Sequence, residues 1–186
     1  MNSDIGAVNN TGWLSNAPLH AIAVRPRWYA VQTRSRHEKS ASEQLHSREI
    51  ETFLPLYRAT HRWRNGDHEV RMPLFHGYTF VRILITDRLN VLKVPGVVRL
   101  VGFCGTPTPL EDNEIEGLSR ALTSGVKAAP HPYLTAGRRI RIAAGPLAGH
   151  EGILVRRKGA VRVVLSIDLI QRSVLVDLDA YELEPA

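Results

Sequence analysis

The chain has 186 residues, 44% hydrophobic and 23% charged, which is enough for one or two packed domains. No apolar run approaches the roughly 20 residues that span a bilayer, the first residues lack the basic-then-apolar pattern of a secretion signal, and the single cysteine, Cys104, excludes an internal disulfide. A net charge of +6, divided as 14 Lys+Arg against 11 Asp+Glu over residues 27–125 and 8 against 6 over residues 133–186, points to surfaces that lie beside a polyanion, while the lone cysteine fits a reducing cytoplasm and no membrane contact is expected.

Residues 1–26 are rich in Asn, Ser, Gly and Ala without periodicity and read as a disordered extension. Trp28 to Thr33, aromatic and β-branched, reads as a strand. Ser35-Arg36-His37-Glu38 then fits a capping box opening a helix to about Arg48, with Ala41 and Leu45 inward. Ile50 to Tyr57 is extended. Asn65-Gly66, between Trp63 and Val70, predicts a β-hairpin because both turn residues accept positive φ. Leu74 to Ile85 reads as one long strand, Thr86 to Val94 as a short helix capped by Thr86, and Val97 to Phe103 as a further strand. After Pro107 and Pro109, Glu111-Asp112-Asn113-Glu114 opens a helix with Ile115, Leu118 and Leu122 on one face. The order predicts an α+β sandwich, an antiparallel sheet flanked by helices, over residues 27–125. Residues 126–134, with Pro130 and Pro132, read as a flexible linker. From residue 135 the apolar period drops to two: Val161, Val163, Leu165 and Ile167 alternate with other residues, and Val174, Val176 and Leu178 repeat the pattern. Short strands separated by glycine turns predict a small five-stranded, SH3-like barrel over residues 135–186.

Catalytic readings fail on the residues themselves. The Gly145 to Gly152 turn lacks the Gly-Lys-Ser/Thr ending of a phosphate loop. One cysteine cannot build a zinc knuckle, and His61, His68 and His76 could meet only by cross-strand pairing. Glu111, Asp112, Glu114 and Glu116 are explained by the positive end of a helix dipole. No catalytic residue, cofactor or metal is expected. Binding is better supported. Arg58, Arg62, Arg64 and Arg71 around Trp63 offer guanidinium groups for phosphates and an indole for a base, although arginines also keep a hairpin soluble. Arg34, Arg36, His37 and Lys39 form a second basic group. By alternation His76, Tyr78 and Phe80 share one face of their strand, and Phe75, Thr79 and Val81 the other. Two aromatics and a histidine on one face are either plain core or half of a partner-binding groove.

Five ordered stretches carry a resemblance: Arg27-Trp28-Tyr29-Ala30-Val31-Gln32-Thr33, Leu74-Phe75-His76-Gly77-Tyr78-Thr79-Phe80-Val81, Val94 through Phe103, Pro109-Leu110 with its acidic helix, and the Gly145-Pro146-Leu147-Ala148-Gly149 turn. Together they resemble the NusG family of bacterial transcription elongation factors, including specialised antitermination paralogues of the RfaH and UpxY kind; the last turn resembles the family's KOW motif. The resemblance covers the chain from about Arg27 onward. It implies a monomer whose N-terminal domain binds the β′ clamp helices of RNA polymerase through an apolar groove, carried onto Phe75, Tyr78, Phe80 and Leu100. It places Arg34, Arg36, Arg62, Trp63 and Arg64 beside upstream or non-template DNA. It gives the barrel loop Ile167, Asp168, Leu169 and Ile170 to a further partner, either Rho or a small-subunit ribosomal protein.

Two departures shape the expectation. His76 stands where the family has proline before Gly-Tyr, and the barrel loop lacks the phenylalanine of housekeeping members, with Asp168 unfavourable for Rho. Gln171-Arg172-Ser173-Val174 looks like the specialised paralogues, so an operon-specific antiterminator is expected over the general factor that couples polymerase to Rho or the ribosome. Some relatives refold the C-terminal domain into a helical hairpin; the β-branched alternation of residues 161–167 predicts a lasting barrel here. A ribosome- or RNA-associated barrel protein is the alternative reading, and a nucleic-acid enzyme using Glu111 or Asp112 ranks last.

Overall fold

The computed structural model describes residues 25–63, 66–157, 160–178 and 182–185; the extension expected over residues 1–26 lies almost wholly outside the described residues. Strand β1 (Arg27–Thr33) is the centre of the N-terminal half, because its residues are apolar on both sides. Trp28 and Ala30 turn to one face, Tyr29 and Val31 to the other, and all four are buried. It pairs antiparallel with β5 (Tyr78–Ile83), Ala30 opposite Phe80, and with β6 (Val97–Leu100), Val31 opposite Leu100. With β2 (Glu51–Phe53) outside β5, the sheet order is β2-β5-β1-β6.

Helices α1 (Glu38–His46) and α2 (Arg88–Leu92) cover the face of Tyr29 and Val31, burying Ala41, Leu45 and Val91 there with Val81 and Leu100. Leu45 is fully buried, worth about 1.5–3 kcal/mol. Helix α3 (Asp112–Thr123) sets Ile115, Leu118 and Ala121 on the opposite face, against Trp28, Ala30 and Phe80. The expected element order is therefore present, with local differences.

The capping box does not form. Arg36 takes a positive φ of 64°, His37 occupies the cap position without a side-chain cap bond, and the helix begins at Glu38. The long strand expected from Leu74 starts only at Tyr78, because the chain turns at Gly77 (φ 81°) with the Tyr78 N–H donating to the Phe75 carbonyl. Thr86 does not cap α2; it lies in a 3-10 turn (Ile85–Asp87) that leads into it. The strand expected over Val97 to Phe103 breaks after Leu100, and β7 (Gly102–Phe103) pairs instead with β8 (Thr106–Pro107).

Strands β3 (Leu56–Trp63) and β4 (Gly66–Pro73) form the expected hairpin as a two-stranded sheet of their own. Trp63 lies opposite Gly66, one residue off the expected Asn65-Gly66 centre, so Gly66 (φ 115°) joins the second strand.

The C-terminal half is mostly strand: β10 (Arg139–Ile142), β11 (Glu151–Arg157), β12 (Ala160–Ile167), β13 (Arg172–Leu178) and β14 (Leu183–Pro185), with a 3-10 turn (Asp168–Ile170) between β12 and β13. Ile140, Ile142, Val163, Val174 and Val176 supply its core, and no helical hairpin forms among the described residues. The expected five strands become six. Ala128–His131, inside the expected linker, is a strand, β9, at the sheet edge, with Ala128 opposite Val176 and Pro130 opposite Val174. An edge strand tolerates proline because one side needs no ladder donor. None of the described helices is long and apolar enough to cross a membrane.

Candidate functional site

The four residues of the expected groove fall into three situations. Phe75 and Phe80 meet edge to face, ring centroids 5.5 Å apart, with Phe53 tilted against Phe80 at 6.2 Å. Both are buried on the α3 face of the sheet. Alternation had set them on opposite faces; the turn at Gly77 breaks the count and returns Phe75 to the Phe80 side. Tyr78, half-buried, borders the same face, and the Arg172 guanidinium of the barrel lies 6.0 Å from its ring centroid, within cation–π range. Leu100 is not part of this group. Its partner in the ladder is Val31, so it points to the α1 side and is buried there. His76 is exposed in the turn.

A buried carboxylate fixes that turn. The Gly77 N–H donates to Glu38 Oε1 at 2.7 Å, and the Glu38 side chain is inaccessible to solvent apart from a few per cent. The Gly77 carbonyl in turn accepts from the Thr33 N–H at 2.8 Å. Glu38 therefore spends its oxygen on positioning Phe75 and Tyr78, not on capping its own helix.

The barrel sits over the Phe75–Phe80 face. Ile140, Ile142, Leu147, Ile167 and Ile170 belong to one apolar cluster with Phe75, Phe80 and Leu118. The loop expected to take a second partner is thereby turned inward: Ile167 and Ile170 are buried, Leu169 is half-buried against the same cluster, and Asp168 alone is exposed, accepting from the Tyr133 hydroxyl at 3.0 Å. A cavity of about 670 Å³ remains between α3 and the barrel, lined in part by Phe75, Glu114, Leu118, Arg139 and Asp168. Burial raises the Glu114 carboxyl above the ordinary glutamate range; the nearby charges of Asp168 and Glu111 add to this, while His150 and a backbone hydrogen bond oppose it.

The hairpin stands apart as a ladder of mostly exposed residues. Trp63 is 60% exposed near its tip, with the rings of His61 and His68 5.7–6.5 Å away. The two histidines face each other across the ladder, and His76 belongs to a different turn; among the described residues no group of three His, Cys, Asp or Glu could hold a metal. Arg62 is exposed opposite Asp67, and Arg58 pairs with Glu69 at 3.3 Å. Arg64 lies outside the described residues. Arg34 and Arg36 are exposed on the separate loop between β1 and α1.

The family model described as transcription termination factor NusG matches residues 26–119, half of the chain. The chain belongs to the NusG family. Proteins named transcription termination/antitermination protein NusG are similar to it along nearly their whole length: 26% identical over 179 residues in Yersinia pestis, covering 87% of this chain and 97% of that protein, and 26% over 181 residues in Escherichia coli K12, covering 88% and 98%. A solved structure described as domain interaction in Thermotoga maritima NusG shares the fold, with a TM-score of 0.57 at 22% identity over 88% of this chain and 98% of that one.

Within this NusG-family fold, sequence reasoning missed the residues that join the two halves. In the sequence Arg172 stands only as part of a paralogue-like segment and His150 only as part of a turn. One signal was available. Gly117 stands in the middle of an amphipathic helix, where glycine costs about 1 kcal/mol against alanine, so that a close approach was already implied.

Proposed function

We propose that this chain is a transcription elongation factor that binds the β′ clamp helices of RNA polymerase through Phe75, Tyr78 and Phe80 and suppresses pausing and termination, serving particular operons as an antiterminator. The observation that carries the reading is the aromatic face itself. Three aromatics lie on and just before an inner strand of the sheet, beside a turn fixed by a buried glutamate, and α3 and the barrel together cover that face. Leu100 is left out, since it belongs to the α1 core. The factor makes and breaks no bond; it favours the elongating polymerase by binding that state better. The exposed Trp63 hairpin and the Arg34–Arg36 loop lie beside upstream or non-template DNA. Asp168, the solvent-facing residue of the barrel loop, argues against the apolar contact that Rho would need and for the specialised role.

In the closed arrangement the polymerase face and the barrel loop cover each other, so the barrel must move aside before either is used. Capture of core RNA polymerase by the full chain tests the reading. Tyr78→Ala, which touches the rim and spares the buried Phe80, is expected to lower retention at least about tenfold, as for a central aromatic contact. Equal retention of the two proteins would contradict it.

A further inference from the structure

We propose that His150, seated on Gly117, is the catch that holds the barrel over the aromatic face, so that this one contact sets how often the face is uncovered. The inference rests on the reading of that face as the polymerase site, but the catch itself is visible in the geometry. The turn after β10 is built to present His150. Gly145 and Gly149 take φ values of 82° and 87°, a region closed to most side chains, and Leu147 anchors the turn by full burial. The Gly149 N–H closes it on the Ile142 carbonyl at 2.7 Å.

From that turn the imidazole crosses to α3. Its Nδ1 lies 2.8 Å from the Leu147 carbonyl of its own turn and its Nε2 2.7 Å from the Asn113 carbonyl of the helix; both partners are acceptors, so a neutral ring, with one N–H, donates to one of them and an imidazolium donates to both. The ring fills the space that a side chain on residue 117 would take: a Cβ there would overlap Cε1 and Nε2. Gly117 is thus a notch cut into an otherwise regular helix. Asn113 and Gly117, four apart, stand on one helical face, and the notch and the acceptor are presented together.

A single catch can matter because the interface carries an opposing term. Closure sets Asp168 of the barrel near Glu114 of α3, two carboxylates beside a shared cavity. The apolar cluster and Arg172 over Tyr78 favour closure, and the facing carboxylates resist it.

Small-angle scattering of the full chain, with amide exchange followed over residues 167–171, tests the proposal. Gly117→Ala strengthens the helix itself, so its effect cannot come from unfolding α3. It is expected to enlarge the radius of gyration and to speed loop exchange about tenfold, by wedging a methyl into a filled space. His150→Ala is expected to do the same, and Gly117→Ala is expected to add nothing once His150 is gone, because the two changes remove one contact. A Gly117→Ala chain as compact and as slowly exchanging as wild type would overturn the catch, as would additive effects of the two changes. Polymerase takes no part in this measurement. If Gly117→Ala opens the chain but polymerase retention does not rise, the catch stands and the assignment of the face falls.

Discussion

Glu38 shows how a residue can be placed correctly in sequence and assigned the wrong work. Three positions after a serine, it fits the local pattern of a capping box, yet its carboxylate is buried and bonded to the Gly77 amide 39 residues away. Local pattern cannot foresee a partner that only the tertiary fold delivers. Glu38→Ala should lower stability by about 1–3 kcal/mol in urea unfolding, since it leaves a part-buried N–H without an acceptor, while Glu38→Gln keeps an acceptor oxygen and should lose less. Equal losses would show that the carbonyl-type acceptor is not what matters. Phe75 and Leu100 carry the same lesson. Phe75 was assigned by counting alternate residues through a segment that is not a strand, and the turn at Gly77 changed the count. Leu100 was carried over from family position alone, and its ladder partner Val31 shows which way it faces. Tyr78 and Phe80, inside a true strand, were legible from alternation.

Elements were more legible than side-chain roles, for a physical reason: periodicity is a property of many residues and survives a local error. The central strand, the hairpin, the amphipathic α3 and the period-two strands of the barrel all stood in the sequence. Strand β9 did not. Ala128, Ala129 and Pro130 have weak strand preference, and only the open edge of β13 makes them extended. The hairpin's exposure gives it a prediction of its own. Trp63, 60% exposed and far from either apolar core, should be replaceable by alanine with an unchanged circular dichroism spectrum. If it stacks on a base, Trp63→Ala should weaken binding of single-stranded DNA by about 1–3 kcal/mol in fluorescence anisotropy. Arg62→Ala should instead reduce the dependence of affinity on salt, as expected for a phosphate contact. Unchanged affinity in both variants would remove the hairpin from the nucleic-acid surface.

At the scale of the whole molecule, the two halves pack as one closed body, and the surroundings of Glu114 give its opening an expected dependence on pH. Glu114 faces Glu111 on its own helix and Asp168 and His150 from the barrel, with Arg139 and Arg141 of β10 lining the same cavity. Burial, then Asp168 and Glu111, raise its carboxyl in the closed form. A group whose affinity for protons is higher in the closed form favours closure below its ordinary range and loses that contribution as pH rises through the raised value. Scattering should therefore show a more compact chain as pH falls from 7 towards the ordinary glutamate range, and Glu114→Gln should stay compact at pH 7 with less response to acid. A variant that opens instead would reverse the sign of the argument. If polymerase takes the face that the barrel covers, its binding must uncover the barrel loop. Hydrogen exchange of the full chain with and without core RNA polymerase addresses it directly. With polymerase bound, Leu74 to Phe80 should stay protected while residues 167–171 of the barrel lose protection; unchanged exchange in the barrel loop, with protection falling elsewhere on the chain, would show that polymerase does not take this face.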